Sequence, residues 1–537
     1  MCNTNLQKTW LRTLKIRYVA GLASVLVIML CPPLHAEVSL PRLLSDGVVL
    51  QRDTANRIWG WAAEGETVSV KFDGQEAGTV VAENGEWQVL LEPVSAGGPH
   101  LLEINGTNQL EISDVYFGEV WVASGQSNMQ LPMERVKQRY PDEISGANNP
   151  LIRMFTVPRD YDLEQPQADV DSGEWNTTIP QNILEFSATA YFFAKDLNQD
   201  LGVPVGIISS NYGGSTAEGW MSEEALAEYP HFLEKISPYR DRAYLDRVLE
   251  ADKENEDNWH RNIDMLDAGL TGSVKWFDDS HDISTWDKLV LPAIFEDEDL
   301  ASTSGVIWLK REFTLPASAA GKPGQLMLGA MVDADTTYVN GVEVGNITYR
   351  YPPRLYTINE NLLREGINTI TVRLTCNAGN CGFITDKPYR LQTGDTTIEL
   401  GGPWAYRVGV KTEPMRPAVF NRFHQPMGFY NAMLAPLLKT SIRGVIWYQG
   451  ESNVSRAEEY THLFPAMIRD WRKQWGIGDF PFIYVQLANY LEAQEQPVES
   501  AWAELRDAQL STLAVPNTAM AVTIDVGEWN DIHPLNK

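Results

Sequence analysis

Positive charge is scarce in this chain: 43 lysines and arginines stand against 71 aspartates and glutamates, for a formal net charge of −28. A surface of that sign repels phosphate backbones, and no basic stripe interrupts it, so nucleic acid is excluded as an expected partner. Cysteine is scarcer, four in 537 residues. Cys376 and Cys381 have no histidine nearby and no second cysteine pair, which argues against a metal site. In an oxidising compartment their spacing can close a small disulfide loop between strands, and two reduced thiols are the alternative. Internal repeats and low-complexity segments are absent. The apolar run from Tyr18 to Cys31 is shorter than the roughly 20 residues a membrane span requires.

That run has a different use. Lys8, Arg12, Lys15 and Arg17 precede it without an acid, and Pro32-Pro33-Leu34-His35-Ala36 follows it. A basic region, a short apolar region and a small residue before Glu37 describe a secretory signal peptide over residues 1–36, cleaved after Ala36. An uncleaved anchor is the competing reading. Met29-Leu30 before Cys31 lacks the small residue that lipid modification prefers, so export to a periplasm or beyond is expected, with no membrane contact after cleavage. Cleavage removes Cys2, Cys31 and four cations, taking the formal charge from −28 to −32.

About 500 mature residues exceed one core, so two or three domains are expected. Residues 37–113 carry short alternating runs such as Thr67 to Phe72 and Trp87 to Leu91, punctuated by Asp73-Gly74 and Asn84-Gly85, which predict a small β-sandwich. From 114 to 279 buried strands alternate with helical stretches, for example Ala188 to Leu197 followed by Val203 to Ile208, the pattern of a parallel sheet flanked by helices. Strands return over 280–410, with a hairpin turn at Asn340-Gly341, and predict an inserted β-domain. The α/β texture resumes over 411–537, with Gly444 to Tyr448, a helix from Arg456 to Trp475, and Pro481 to Leu487.

The chemistry-bearing residues stand at the two ends of the mature chain. Residues 115–124 read as a buried strand, which puts Ser127 of Gly125-Gln126-Ser127-Asn128-Met129 on the turn past its C-terminal end, where α/β sheets place their chemistry. A serine hydroxyl is a weak nucleophile until an imidazole takes its proton and a carboxylate fixes that imidazole. Asp531-Ile532-His533-Pro534 offers both. Side chains two apart in an extended segment point the same way, so Asp531 can reach the far ring nitrogen of His533. Asp525 and Glu528 compete for that role, and His424 and His462 are fallback bases. A plain helix-capping serine is the bland alternative for Ser127. Gly-x-Ser-x-Met also departs from the Gly-x-Ser-x-Gly elbow of α/β-hydrolases.

Two further blocks, Gly213-Gly214-Ser215-Thr216-Ala217-Glu218-Gly219-Trp220 and Trp447-Tyr448-Gln449-Gly450-Glu451-Ser452-Asn453, complete a pattern of four ordered segments that resembles the sialate O-acetylesterase family of SGNH hydrolases. The likeness extends through Val48 to Arg52, Asp333 to Gly341 and Trp502 to Gln509. It implies an SGNH-type α/β domain and a jelly-roll insert. It implies a Ser127–His533–Asp531 triad that removes O-acetyl groups from sialic acids through an acyl-enzyme, without a cofactor. It also implies an oxyanion hole from the backbone N–H groups of Ser127 and Gly214 and the Gln449 amide, with Asn128 and Asn453 ordering the site. Many SGNH enzymes space the pair as Asp-x-x-His, whereas Asn530 is three before His533 here. In the family the histidine is followed by a further helical stretch, so the resemblance implies that this sequence stops short.

A flexible turn is the alternative for Gly214, and a buried structural amide for Gln449. Glu451 is read as supporting, although paired with Glu218 it could be a glycosidase acid. Trp121, Trp220 and Trp447 are core residues or sugar platforms. Acetylated plant polysaccharide such as xylan is the rival substrate, and a noncatalytic carbohydrate-binding protein is the rival of another class. Nothing in the sequence fixes the oligomeric state.

Overall fold

The computed structural model describes residues 37–537, so the expected signal segment lies outside the described residues. A sheet built on one long strand, Gln109–Gly125, organises most of the chain. Its second half is the centre of a parallel array in which Thr518–Ala521, Phe482–Val485 and Gly444–Tyr448 lie on one side and Val205–Asn211 and Asn149–Thr156 on the other. Trp175–Thr178 closes that edge antiparallel. Val205–Asn211 and Gly444–Tyr448 are buried at every position, as expected of strands covered on both faces.

The covering helices have legible ends. Ala188–Leu201 starts where Ser187 Oγ accepts the Ala190 N–H at 3.1 Å and stops at Gly202, whose φ is +65°. Ala457–Trp475, one residue shorter at its start than the sequence suggests, stops at Gly476 in the same left-handed conformation. No helix among the described residues is long and apolar enough to cross a membrane.

The N-terminal strands are not free-standing. Val49–Gln51 pairs in parallel with Tyr116–Gly118, and Gly97–Asn105 pairs antiparallel with the first half of the long strand. The boundary expected at 113/114 therefore falls inside a continuous strand, and one hydrophobic core runs from Val38 to Val515. Asn56–Trp61 and Glu86–Leu91 form a separate pair. In Glu86–Leu91 buried and exposed residues alternate strictly, the mark of a strand wet on one face.

Two antiparallel sheets, one of six strands and one of four, make up the expected insert. They share a second core that includes Ile307 and Leu309 from one sheet and Leu326 and Leu391 from the other. Asn340 and Gly341 both have positive φ, +50° and +80°, as a tight two-residue hairpin turn requires. Cys376, at the end of one strand, is joined to Cys381 by a disulfide. The helix Arg242–Leu266 ends against this unit, where Asp267 accepts Trp308 Nε1–H at 2.9 Å and Arg373 Nε–H at 2.8 Å.

Candidate active site

Three of the four sequence blocks meet because three adjacent parallel strands end at one level. Gly125 is in register with Asn211 on one side and with Tyr448 on the other. The chain then leaves the sheet through Ser127, through Tyr212-Gly213-Gly214, and through Gln449-Gly450-Glu451. Gly125 is obligatory at this crossing. Its φ is +129°, and a Cβ there would lie 2.2 Å from the Tyr448 carbonyl oxygen. Gly214 likewise has φ +82°.

The loops are tied together by side-chain amides. Gln126 Oε1 accepts the Gly450 and Ser452 N–H groups at 3.3 and 3.2 Å, and Gln130 Oε1 accepts the Gly213 N–H at 2.5 Å. Ser452 Oγ donates to the Gly214 carbonyl at 2.9 Å. Above them opens a cavity of about 710 Å³ lined by Ser127, Gly214, Glu451 and His533 among others. Ser127 begins a short helix, half-exposed to this cavity.

His533 arrives from the segment after Thr518–Ala521, the strand at the far edge of the sheet, and is 7% exposed. Asn128 holds that segment down, donating Nδ2–H to the Ile532 carbonyl at 2.9 Å and to Glu451 Oε1 at 2.7 Å. Burial above all, then the nearby Lys537 and Arg135 charges, pushes the His533 pKa down to about 3, so its ring is a neutral base at physiological pH. Asp531 Oδ1 accepts the His533 backbone N–H at 2.9 Å and lies 3.9 Å from Nδ1, outside hydrogen-bonding range. Nδ1 has no hydrogen-bond partner among the described residues. Asp531 also faces Lys387 Nζ at 3.3 Å, and burial raises its carboxyl above the ordinary value. Of its competitors, Glu528 is bound to Lys387 and to the Leu535 N–H, and Asp525 is exposed. His424 and His462 do not line the cavity.

Gln449 differs from the oxyanion expectation. It is fully buried, its Nε2 donates to the Ser215 carbonyl at 3.2 Å and to Asn453 Oδ1 at 2.6 Å, and its Oε1 accepts the Tyr460 O–H at 3.1 Å. With its amide engaged by interior groups it holds the strand end in place and does not face the cavity, which leaves Ser127 and Gly214 from the expected oxyanion set. Asn453 bridges two loops, accepting the Ala217 N–H at 3.0 Å and donating to Glu218 Oε2 at 3.1 Å. Glu218 is buried against Arg456 at 2.5 Å and does not line the cavity, so Glu451 has no second glutamate beside it there. Glu451 is itself desolvated, which raises its carboxyl, and its Oε2 is unpartnered among the described residues.

Trp121, Trp220 and Trp447 are all buried in the core. The rings that do face the cavity are Tyr212 and Phe423, together with Tyr349 and Tyr351 from the inserted β-domain. Sequence reasoning misses these, and it misses Arg135, Arg159 and Arg422 on the same walls. Only the imbalance between an acidic chain and the sialic acid that the resemblance implies hints at local cations.

Residues 418–536 match the family model described as carbohydrate esterase, sialic acid-specific acetylesterase. Across 525 aligned residues the chain is 22% identical to sialate O-acetylesterase of Rattus norvegicus, covering 91% of this chain and 69% of the rat protein. Over 203 residues it is 31% identical to the Homo sapiens enzyme of the same name, covering 34% and 38% of the two chains. In three dimensions it is similar to a carbohydrate acetylesterase from Xanthomonas citri, with TM-score 0.55 and 27% identity, covering 93% of this chain and 72% of that one. The resemblance carried by the four sequence blocks is thus borne out: the chain is an esterase hydrolase related to the sialate O-acetylesterases.

Proposed function

We propose that this chain is an exported carbohydrate O-acetylesterase that removes O-acetyl groups from sialic acids through an acetyl-Ser127 intermediate. The observation that supports it best is the convergence of Ser127, Gly214 and His533 on one cavity at the C-terminal edge of a parallel sheet. Ser127 Oγ attacks the acetyl carbonyl while His533 takes its proton. The developing oxyanion accepts hydrogen bonds from the backbone N–H groups of Ser127 and Gly214. Collapse breaks the ester bond, and His533 protonates the departing sugar hydroxyl. Water then gives its proton to His533, attacks the acetyl group and releases acetate, and His533 returns the proton to Ser127. Asp531 orients the imidazole, which requires its carboxylate to close the 3.9 Å gap to Nδ1 when substrate fills the cavity.

The rat and human relatives' names support the sialic acid substrate, and the three arginines of the cavity suit its charge. The second reading, another acetylated saccharide such as xylan, draws on the likeness to the Xanthomonas citri protein, a carbohydrate acetylesterase whose name specifies no sialic acid. We read residues 37–113 as a β-sandwich and 280–410 as a jelly-roll-like insert. Export rests on the basic and apolar pattern of residues 1–36. It is tested by N-terminal sequencing of the mature chain, expected to begin at Glu37.

The deciding experiment measures acetate release from O-acetylated sialic acid and from acetylated xylo-oligosaccharide, with Ser127→Ala as control. Serine-dependent release mainly from the sialic acid supports the first reading, and mainly from xylan the second. No serine-dependent release from either overturns both and brings forward a binding protein.

A further inference from the structure

Resting on that reading, we infer that Arg135, together with Tyr349 and Tyr351 of the inserted β-domain, forms the subsite that receives the carboxylate and ring of an anionic pyranose.

Arg135 follows Pro132 on the one-turn helix Met133–Val136 and lines the cavity that holds Ser127 and His533. Its Nε is buried with no hydrogen-bond partner among the described residues; the guanidinium bonds to Tyr349 and feels the Asp531 charge, yet burial outweighs both and pulls its pKa below the ordinary value. A guanidinium whose desolvation these neighbours do not offset, with one donor unmet, gains from a further acceptor. A carboxylate supplies two acceptor oxygens in the planar geometry the guanidinium fork fits, which a neutral sugar hydroxyl does not.

The surrounding charge points the same way. Arg159 and Arg422 stand exposed on the cavity walls. Among the described residues, the one carboxylate lining the cavity is Glu451, whose Oε1 is turned to Asn128. In a chain of net charge −28 this cavity is therefore locally cationic, an arrangement that concentrates an anionic substrate against the field of the molecule.

Tyr349 and Tyr351 supply the ring contact. They are 53% and 42% exposed although both line the cavity, and Tyr351 meets the His533 ring edge-on at a centroid distance of 5.1 Å. Exposed aromatic faces at the mouth of a polar cavity are suited to the apolar face of a pyranose. The turn that carries them is anchored at its root. Arg354 is fully buried, paired with Asp335 at 2.8 Å, and donates to the carbonyls of Arg350, Pro352 and Asp333 at 3.2, 2.8 and 2.9 Å. Arg350 is in turn paired with Asp333 at 2.6 Å. The two rings are thus held over the site by a stiff strap.

Calorimetric titration of the intact protein with N-acetylneuraminate and with its methyl ester tests this without any substitution. Affinity for the free acid is expected to exceed that for the ester about tenfold or more, the range of a hydrogen bond to a charged group. Arg135→Gln is expected to remove that preference and Arg135→Lys to restore part of it. Tyr351→Ala is expected to weaken acid and ester alike. Equal affinity for acid and ester, or a preference that survives Arg135→Gln, overturns the subsite. Ser127-dependent acetate release whose KM is indifferent to Arg135→Gln overturns the subsite alone. Arg135-dependent binding without acetate release overturns the deacetylase reading and leaves the subsite standing.

Discussion

Acid is the perturbation that most directly tests whether His533 works as a buried neutral base. A base catalyst is active above its pKa and is lost as pH falls through it, so the midpoint of the acidic limb of kcat/KM reports the imidazole of the free enzyme. An ordinary imidazole of pKa ~6.5 would be ~90% neutral at pH 7.5 and ~10% neutral at pH 5.5, a loss of roughly tenfold. With burial, Lys537 and Arg135 holding His533 near 3, its ring stays neutral over that whole interval. Asp531 and Glu451 are the site's titrating acids, and burial raises both carboxyls above the ordinary value. We therefore expect kcat/KM to lack the roughly tenfold fall centred near pH ~6.5 that an ordinary imidazole would impose. The assay is direct quantification of acetate released from a neutral acetyl ester, so that substrate ionisation does not enter. A limb centred near pH 6.5 would refute the account. It would mean that His533 is either solvated or already bonded to Asp531 before substrate arrives.

Asp531→Asn should lower kcat by about 10³–10⁴-fold, the loss seen when a triad carboxylate is neutralised, while Glu528→Gln costs less than about tenfold; equal losses in steady-state kinetics would reassign the orienting acid. Gly125→Ala forces a Cβ to 2.2 Å from the Tyr448 carbonyl at a φ of +129°, and should destabilise the fold by about 3 kcal/mol or more in urea denaturation. Arg354→Ala leaves Asp335 buried and unpaired, and should lower stability by about 3–5 kcal/mol. Replacing both partners, as Arg354→Met with Asp335→Leu, should recover most of that loss in thermal unfolding.

The parts of the site legible in the sequence are those that one strand end determines. A buried run followed by Gly-x-Ser, a run followed by Gly-Gly-Ser and a run followed by Gln-Gly-Glu each declare a strand and the turn past it. Parallel register then brings the three turns together without further information. Gln449 stays open between two readings in the sequence because an amide at a strand end serves equally well facing out or in. Its orientation is decided by Ser215, Asn453 and Tyr460, two of which are remote in sequence or on another element. The orienting of His533 is legible only as a pairing. The backbone N–H that competes for Asp531 belongs to the same tripeptide and gives no sequence signal. Tyr349, Tyr351 and Arg135 are unreadable because nothing local marks them: Arg135 sits on a one-turn helix past the Ser127 turn, and the place of the two tyrosines beside Ser127 depends on how the insert docks.

The docking follows from where the insert enters the chain. It lies between Val205–Asn211 and Gly444–Tyr448, the two neighbours of the central strand. A parallel connection between those strands must leave from the C-terminal edge, which is the edge that carries Ser127. Chain added to this connection begins at the rim of the site, so a second domain there can lean over the cavity without altering any strand register. The helix Arg242–Leu266 and the Asp267 contacts to Trp308 and Arg373 fix its angle on one side. On the other, Lys387 of the insert meets Glu528 at 2.5 Å and Asp531 at 3.3 Å, beside His533. The insert therefore reaches the candidate site twice, through an ion pair behind the imidazole and through two tyrosines in front of it. Loosening it should change which sugar is accepted and how well His533 is held, even with the parallel sheet intact.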